Sequence, residues 1–306
     1  MKRLPILTLL LLCSCCLGCT KSLQFATNEE LPKSFKGVHQ LVAFQPDIIS
    51  GAKPIGTEGF ESLANLKVRT IVCVDGVPPD IKTAEYFGIK TIHIPLKYEA
   101  PSPKQILDLT TAVARGRKRG VVYIHCHQGK HRSAAAAAIV SVAFGDLTIP
   151  QAKELMRVSQ TSAVYHGLWD AVERTEIRNV EEILQNTTIF PSSVEPKGIT
   201  SQMIAIDEAL THLNLMQGAA WKAPVAHPDL VGAAEAGIIA DTFRNMQVQQ
   251  EANLYSVDFE TLLVNAIQHA SSLEEALVEA LPNAALDNVM QRVERSCIHC
   301  HTLFRK

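Results

Sequence analysis

A single cysteine followed after five residues by an arginine is the most chemically loaded arrangement in the chain: Cys126-His127-Gln128-Gly129-Lys130-His131-Arg132, with Ser133 directly after. Val121 to Ile124 before it is strand-like, and the alanine run Ala134 to Ala138 after it is helix-forming. A loop at a helix N-terminus directs unpaired amides and the positive end of the helix dipole at one spot, which favours a phosphate dianion and also a thiolate. Such a loop is therefore expected to make Cys126 a nucleophile. Arg132 can grip two phosphate oxygens with its planar fork. Gly129 lets the loop curl. Ser133 can donate its hydroxyl to the sulfur, and His125 lies beside the thiol. This equipment suits nucleophilic attack on phosphorus through a covalent cysteinyl-phosphate.

The segment resembles the cysteine-based protein tyrosine and dual-specificity phosphatases, on the pattern His-Cys, five residues, Arg-Ser, with Gly at the third loop position. Lys130 after that glycine is similar to the lipid-phosphatase branch, whose loops carry extra positive charge. The resemblance implies phosphate contacts from His127, Gln128, Gly129, Lys130, His131 and Arg132, and a phosphorylated substrate. It also implies a general acid on a separate loop, because a leaving alkoxide or phenoxide needs a proton. Glu99, in Lys97-Tyr98-Glu99-Ala100-Pro101, stands where the family usually has Asp. Asp75, after the apolar run Val68 to Val74, is the alternative.

A second constellation lies near the C-terminus: Cys297-Ile298-His299-Cys300-His301. Two thiols around two residues, with His next, is the covalent haem c pattern. Cys297 and Cys300 would form the thioethers and His301 would ligate iron. Zinc on Cys297, Cys300 and His301 or His299, and a dithiol redox pair, are the competing readings. Placement on the last of four helices resembles the cytochrome c′ family and its six-coordinate relatives. The resemblance implies Met203, early in the first of those helices, as a sixth ligand. Otherwise the iron is five-coordinate and open to a gas, and a redox partner or gas ligand is implied.

Around these sites, the 306 residues suggest two domains. Residues 1–19 read as an export leader: Lys2 and Arg3, an apolar Leu4 to Leu12, and Leu17-Gly18-Cys19 as a lipoprotein cleavage box with Cys19 acylated. Exported, periplasmic and attached to a bacterial membrane by a lipid is the location this implies. Four of the eight cysteines fall in this leader, which leaves no disulfide framework. Cys73, in a run of apolar residues, reads as inert core. A net charge of −2 excludes nucleic acid as an obvious partner.

Residues 30–185 alternate strands and helices. The pattern predicts an α/β phosphatase domain with a central, mainly parallel sheet flanked by helices. An opening strand pair spans Phe35 to Ile49, and further strands cover Val68–Val74, Thr91–Leu96 and Val121–Ile124. Helices are expected at Thr57–Leu66, Pro79–Phe87, Pro103–Gly116, Thr148–Arg157 and Tyr165–Ile183, with Asp80 in a first turn. Residues 186–200 have linker composition, with Pro191, Pro196 and Gly198. Residues 201–306 predict an all-α four-helix bundle: Ser201–Met216, Asp229–Val248 with an Asp cap, Val257–Ala270 extended or restarted at a Ser272 capping box, and Asn283–Phe304.

Overall fold

The computed structural model describes residues 32–194, 198–249 and 257–304. The proposed leader, with Cys19, lies outside the described residues.

Six strands form one sheet: β1 (Lys33–Phe35), β2 (Val38–Gln45), β3 (Ile48–Ala52), β4 (Val68–Cys73), β5 (Lys90–His93) and β6 (Val121–Cys126). Their order is β1-β2-β3-β6-β4-β5. The first two pairings are antiparallel and the other three are parallel, so the sheet is mixed. The opening segment holds three strands where two were expected, because it turns tightly twice, at Lys36-Gly37 (Gly37 φ +70) and at Pro46-Asp47.

Residues of adjacent strands alternate between two cores. Ile48, Val72, Val122 and Ile124 face one, which α3 (Pro103–Arg117), α4 (Arg132–Ala143), α5 (Ile149–Val158) and α6 (His166–Glu173) cover. Ile49, Ile71 and Tyr123 face the other, with Phe60 and Leu63 of α1 (Gly56–Asn65) and Ala84 of α2 (Ile81–Tyr86). Period-2 alternation between two apolar cores is what a sheet covered on both faces requires. α3 begins in a full capping box, Ser102 with Gln105, and α5 in another, Thr148 with Gln151. Asp80 is the N-cap of α2 and accepts from the Thr83 amide.

The expected Tyr165–Ile183 helix is two: α6 and α7 (Val180–Gln185). Between them the Arg178 amide donates to Ala143 O at the end of α4, a bond outside any helix ladder. Downstream residues line the β5 edge: His93 N donates to Pro191 O, and Val194 N donates to His93 Nδ1.

Four longer helices follow: α8 (Ile199–Gly218), α9 (Gly232–Val248), α10 (Val257–Val278) and α11 (Asn283–Phe304). α8 packs on α9, α9 on α10, and α10 on α11. They share a core of Ile206, Leu213, Ile239, Phe243, Leu263, Met290 and Val293. The cap expected for α9 is corrected, and of the two alternatives for α10 extension is the one observed. α9 has no Asp cap: it starts at Gly232 after Val231, which makes no side-chain cap bond. α10 runs unbroken past Ser272, whose hydroxyl donates back to Gln268 O inside the helix. The N-terminal turn of α9 and the C-terminal end of α10 extend the larger α/β core through Ala233, Ala234, Leu277 and Val278.

Candidate active site

β6 lies at the centre of the sheet, between β3 and β4, and ends at Cys126. Its loop leaves at the carboxyl edge of the parallel strands, the usual ligand side of such a sheet. Two neighbours fix the loop: Val74 N donates to His125 O, and Lys53 N donates to His127 O. Gly129 has φ +77, and a Cβ there would press on the Ala52 backbone, so glycine is required on both counts. α4 begins at Arg132, and every one of its residues is buried. The run Ala134–Ala138 lets sheet and helices approach closely around it.

Cys126 Sγ lies 3.3 Å from Ser133 Oγ. With the sulfur ionised, the hydroxyl is the donor. Among the described residues, no backbone N–H from His127 to Ala134 has an acceptor within the protein. A run of unused donors between a thiol and a helix N-terminus is what an oxyanion cradle needs. His125 is buried, with Nδ1 3.4 Å from Cys126 O, and burial drives it down to about 3, so it is neutral. His131 is likewise pushed to about 3 by burial and then by Arg132. Its Nδ1 accepts from the Ser162 amide, and its ring sits 4.5 Å from Tyr165. Both imidazoles therefore shape the loop rather than charge it. His127 and Gln128 line the same small pocket as Cys126 and Arg132. Lys130 is half-buried, and its carbonyl accepts from Thr161 Oγ1.

Arg132 is 3% exposed. Its Nη2 donates to Asp75 Oδ1 at 3.2 Å and its Nη1 to Leu96 O at 3.4 Å. Nη1 also donates to Asp241 Oδ2 of α9 at 2.6 Å. The guanidinium lies over the Tyr98 ring, 4.5 Å from its centroid, in cation–π range. Asp75 is fully buried, and its Oδ1 also accepts from Gly76 N. Burial, then the Asp241 charge, raise its carboxyl to about 6, against the pull of Arg132. Asp241 moves the other way: Arg132 and Arg244 outweigh its burial and hold it down. Around this one arginine, then, Asp241 stays anionic while Asp75 takes up a proton more easily. The Asp75 backbone oxygen also accepts from His93 Nε2 at 2.9 Å, which, with Val194 on Nδ1, fixes a neutral tautomer.

Glu99 is exposed. It does not line the Cys126 pocket but a neighbouring cleft of about 530 Å³, which Arg132, Asp241 and Asn245 also border. Cys73 is buried core, and burial raises its thiol.

Three charged residues escaped the sequence reading: Asp241, Arg244 and Glu274. Glu274 Oε1 accepts from Tyr98 Oη at 3.0 Å and Tyr165 Oη at 2.9 Å. The two rings stack at 4.6 Å. A signal existed. Glu274 interrupts the apolar stripe Ala266, Ala270, Leu273, Leu277 of α10, and Asp241 and Arg244 follow Gly237 at helical spacing along one face of α9.

Away from the loop, Met203, Cys297, Cys300 and His301 line one cavity of about 500 Å³, with Phe243, Phe259 and Phe304. Spacings of three and four residues put Cys297, Cys300 and His301 on one helical face. Burial raises both thiols, Cys297 to about 11. His299 faces a different pocket, with His269 and Arg292. Among the described residues, no group of three His, Cys, Asp or Glu is arranged to hold a metal ion.

Residues 14–178, more than half of the chain, match the PTP-SAK family: Swiss Army Knife protein, DSP-PTPase phosphatase domain. The chain belongs to the PTP-SAK family. Its α/β unit is thus a phosphatase domain of the dual-specificity and tyrosine class. Several crystal structures are similar over about half of this chain. P. aeruginosa TpbA shares 15% identity at a TM-score of 0.41, covering 50% of this chain and 92% of that one. The core catalytic domain of the S. cerevisiae PP-IP phosphatase SIW14, in complex with citrate, shares 16% identity at 0.40, covering 50% and 92%. Tk-PTP in its active form shares 18% identity at 0.34, covering 49% and 98%. No curated protein matches the chain.

Proposed function

We propose that the chain is an exported phosphomonoesterase working through Cys126, joined to a haem c-binding bundle. The observation carrying the first half is the Cys126 sulfur, 3.3 Å from Ser133 Oγ, in a loop of unused amides that ends at Arg132. The thiolate attacks phosphorus, an S–P bond forms and the ester P–O bond breaks. Arg132 and the loop amides take the charge on the phosphoryl oxygens. The leaving oxygen takes a proton from Glu99, on the open cleft bordering Arg132, while Asp75 orients the guanidinium. Water then attacks the cysteinyl-phosphate with its proton passing to Glu99, and phosphate leaves as the thiolate reforms. Asp75 is the other candidate acid, since a carboxyl near 6 still holds a proton close to neutral pH. The substrate is a phosphoric monoester. Purified protein should release phosphate from an aryl phosphate, and Cys126→Ser should abolish release; equal turnover by the variant would remove the proposal.

The second half rests on the mainly apolar cavity, whose lining includes two thiols, an imidazole and a thioether, with Asp207, Thr200 and Ser296 as its other polar side chains. That set fits a large apolar macrocycle held by thioethers better than a zinc ion, which would need a tight tetrahedral cluster. Cys297 and Cys300 would hold the group covalently, and His301 and Met203 would ligate its iron, in a cytochrome c′-like four-helix bundle. Bound haem would supply one-electron chemistry or gas binding. Export with Cys19 lipidated belongs to the same reading, because haem c is attached outside the cytoplasm. An alternative is a haem protein whose phosphatase-like unit is catalytically silent. It is favoured by the pocket at Cys126, which has room for about one water. A haem spectrum without phosphatase turnover would select it.

A further inference from the structure

The phosphate loop is covered by the chain's own helices. Asp241 Oδ2 from α9 sits 2.6 Å from Arg132 Nη1, and Asp241 Oδ1 accepts from Arg244. Glu274 from α10 is held by the hydroxyls of Tyr98 and Tyr165. What remains among Cys126, Arg132, Arg244 and Glu274 is about 10 Å³. As room for the centre of a water-sized sphere, that admits about one water; a phosphoryl group is larger and does not fit there while α9 and α10 stay in place. A carboxylate oxygen is also the protein's nearest chemical match to the phosphate oxygen that an arginine fork binds.

We propose that α9 and α10 form an intramolecular latch that holds the phosphatase closed, with the Asp241 carboxylate taking the Arg132 guanidinium in place of substrate. This rests on the reading of Cys126 and Arg132 as the phosphate site. The seam is built to part. Asp75 Oδ2, Arg132 Nε, Arg244 Nε and Asn245 Oδ1 are buried there without a hydrogen-bond partner, so closure leaves polar groups unsatisfied that water would satisfy on opening. Beside them lies the cleft of about 530 Å³, so α9 and the 95–101 loop are not packed along their whole length. The close approach is Gly237 against Tyr98, where an added Cβ would stand 2.9 Å from the ring. α9 also lends Phe243 to the cavity of Cys297 and Cys300, so one helix meets both sites.

The test uses the full chain and two substitutions that act differently. Asp241→Asn keeps the shape and removes the charge. Gly237→Val leaves every charge and wedges α9 off Tyr98. Tungstate affinity by calorimetry reads access to the loop, and kcat/KM on an aryl phosphate reads turnover. Both variants should bind tungstate more tightly and turn over faster by roughly 5–150-fold, the range of couplings between sites. Tungstate affinity unchanged or weaker in both, with melting curves showing folded protein, overturns the latch. If Asp241→Asn does not fold, Gly237→Val decides by the same criterion. Tighter tungstate binding with no phosphate release from any form keeps the latch and removes the phosphatase reading. Turnover by the wild type with no gain in affinity or rate in either variant does the reverse.

Discussion

Replacing Asp75 by Asn should change how stability depends on pH. The Asp75 carboxyl stands at about 6 when folded against an ordinary 3.8, because it is buried and faces Asp241. The folded state therefore binds that proton more tightly than the unfolded chain. The stabilisation is complete below about 3.8, is lost as pH rises towards 6, and is absent above. At ~1.4 kcal/mol per tenfold, the difference is about 3 kcal/mol. The charged groups facing it, Arg132, Arg244 and Asp241, remain in the variant, and the Asn amide oxygen can still accept from Arg132 and Gly76. Asp241 contributes with the opposite sign, since its folded value is lowered, but it does so in both proteins. Urea denaturation of the two proteins between about pH 3 and 7 isolates Asp75. The wild type minus variant difference in unfolding free energy should fall by about 3 kcal/mol across that window. A flat or rising difference would refute the account of a carboxyl strained by burial and by its bundle neighbour.

Other outcomes follow from the same geometry. Gly129→Ala, at φ +77 with its Cβ against the Ala52 backbone, should cost about 2–4 kcal/mol and abolish tungstate binding; thermal melts and calorimetry check both. Tyr165→Phe removes one of two donors to buried Glu274, so stability should drop by about 1.5–3 kcal/mol in urea titrations. In protein matured in a periplasm, Cys297→Ala with Cys300→Ala should leave haem extractable by acidified solvent, and Met203→Ala should convert a six-coordinate spectrum to a five-coordinate one.

The parts of this molecule that are legible in sequence are those governed by local chemistry. The cysteine-to-arginine loop carries its own geometry: strand before, helix after, and a glycine where the backbone needs positive φ. The capping boxes at Ser102 and Thr148 announce two helices, and the unbroken apolar run Val68–Val74 announces a central strand. Features set by distant partners are not legible. The Tyr165–Ile183 pattern is helical throughout, yet its backbone is broken where Arg178 N bonds Ala143 O, a partner far back in the chain. β5 ends sooner than its β-branched run because Pro95 removes a donor, although Ile94 N and Leu96 N still reach Cys73 O and Val74 O. Ser272 has the look of a cap, but continuous packing of α10 turns its hydroxyl to the preceding turn. The second carboxylate on Arg132, Asp241, and the one on the Tyr98–Tyr165 pair, Glu274, come from more than a hundred residues away; their spacing on α9 and α10 marks them as charges on a buried face but does not say that this face meets the loop.

The proposed hydrolysis depends on the Cys126 sulfur as its nucleophile. Full-length Asp241→Asn protein, mixed with a phosphomonoester and quenched in acid within the turnover time, should yield a peptide spanning Cys126 that carries one added phosphoryl group by mass spectrometry, and none after Cys126→Ser. Phosphate release from the quenched enzyme with no phosphoryl group on that peptide, or with the group on another residue, would contradict it.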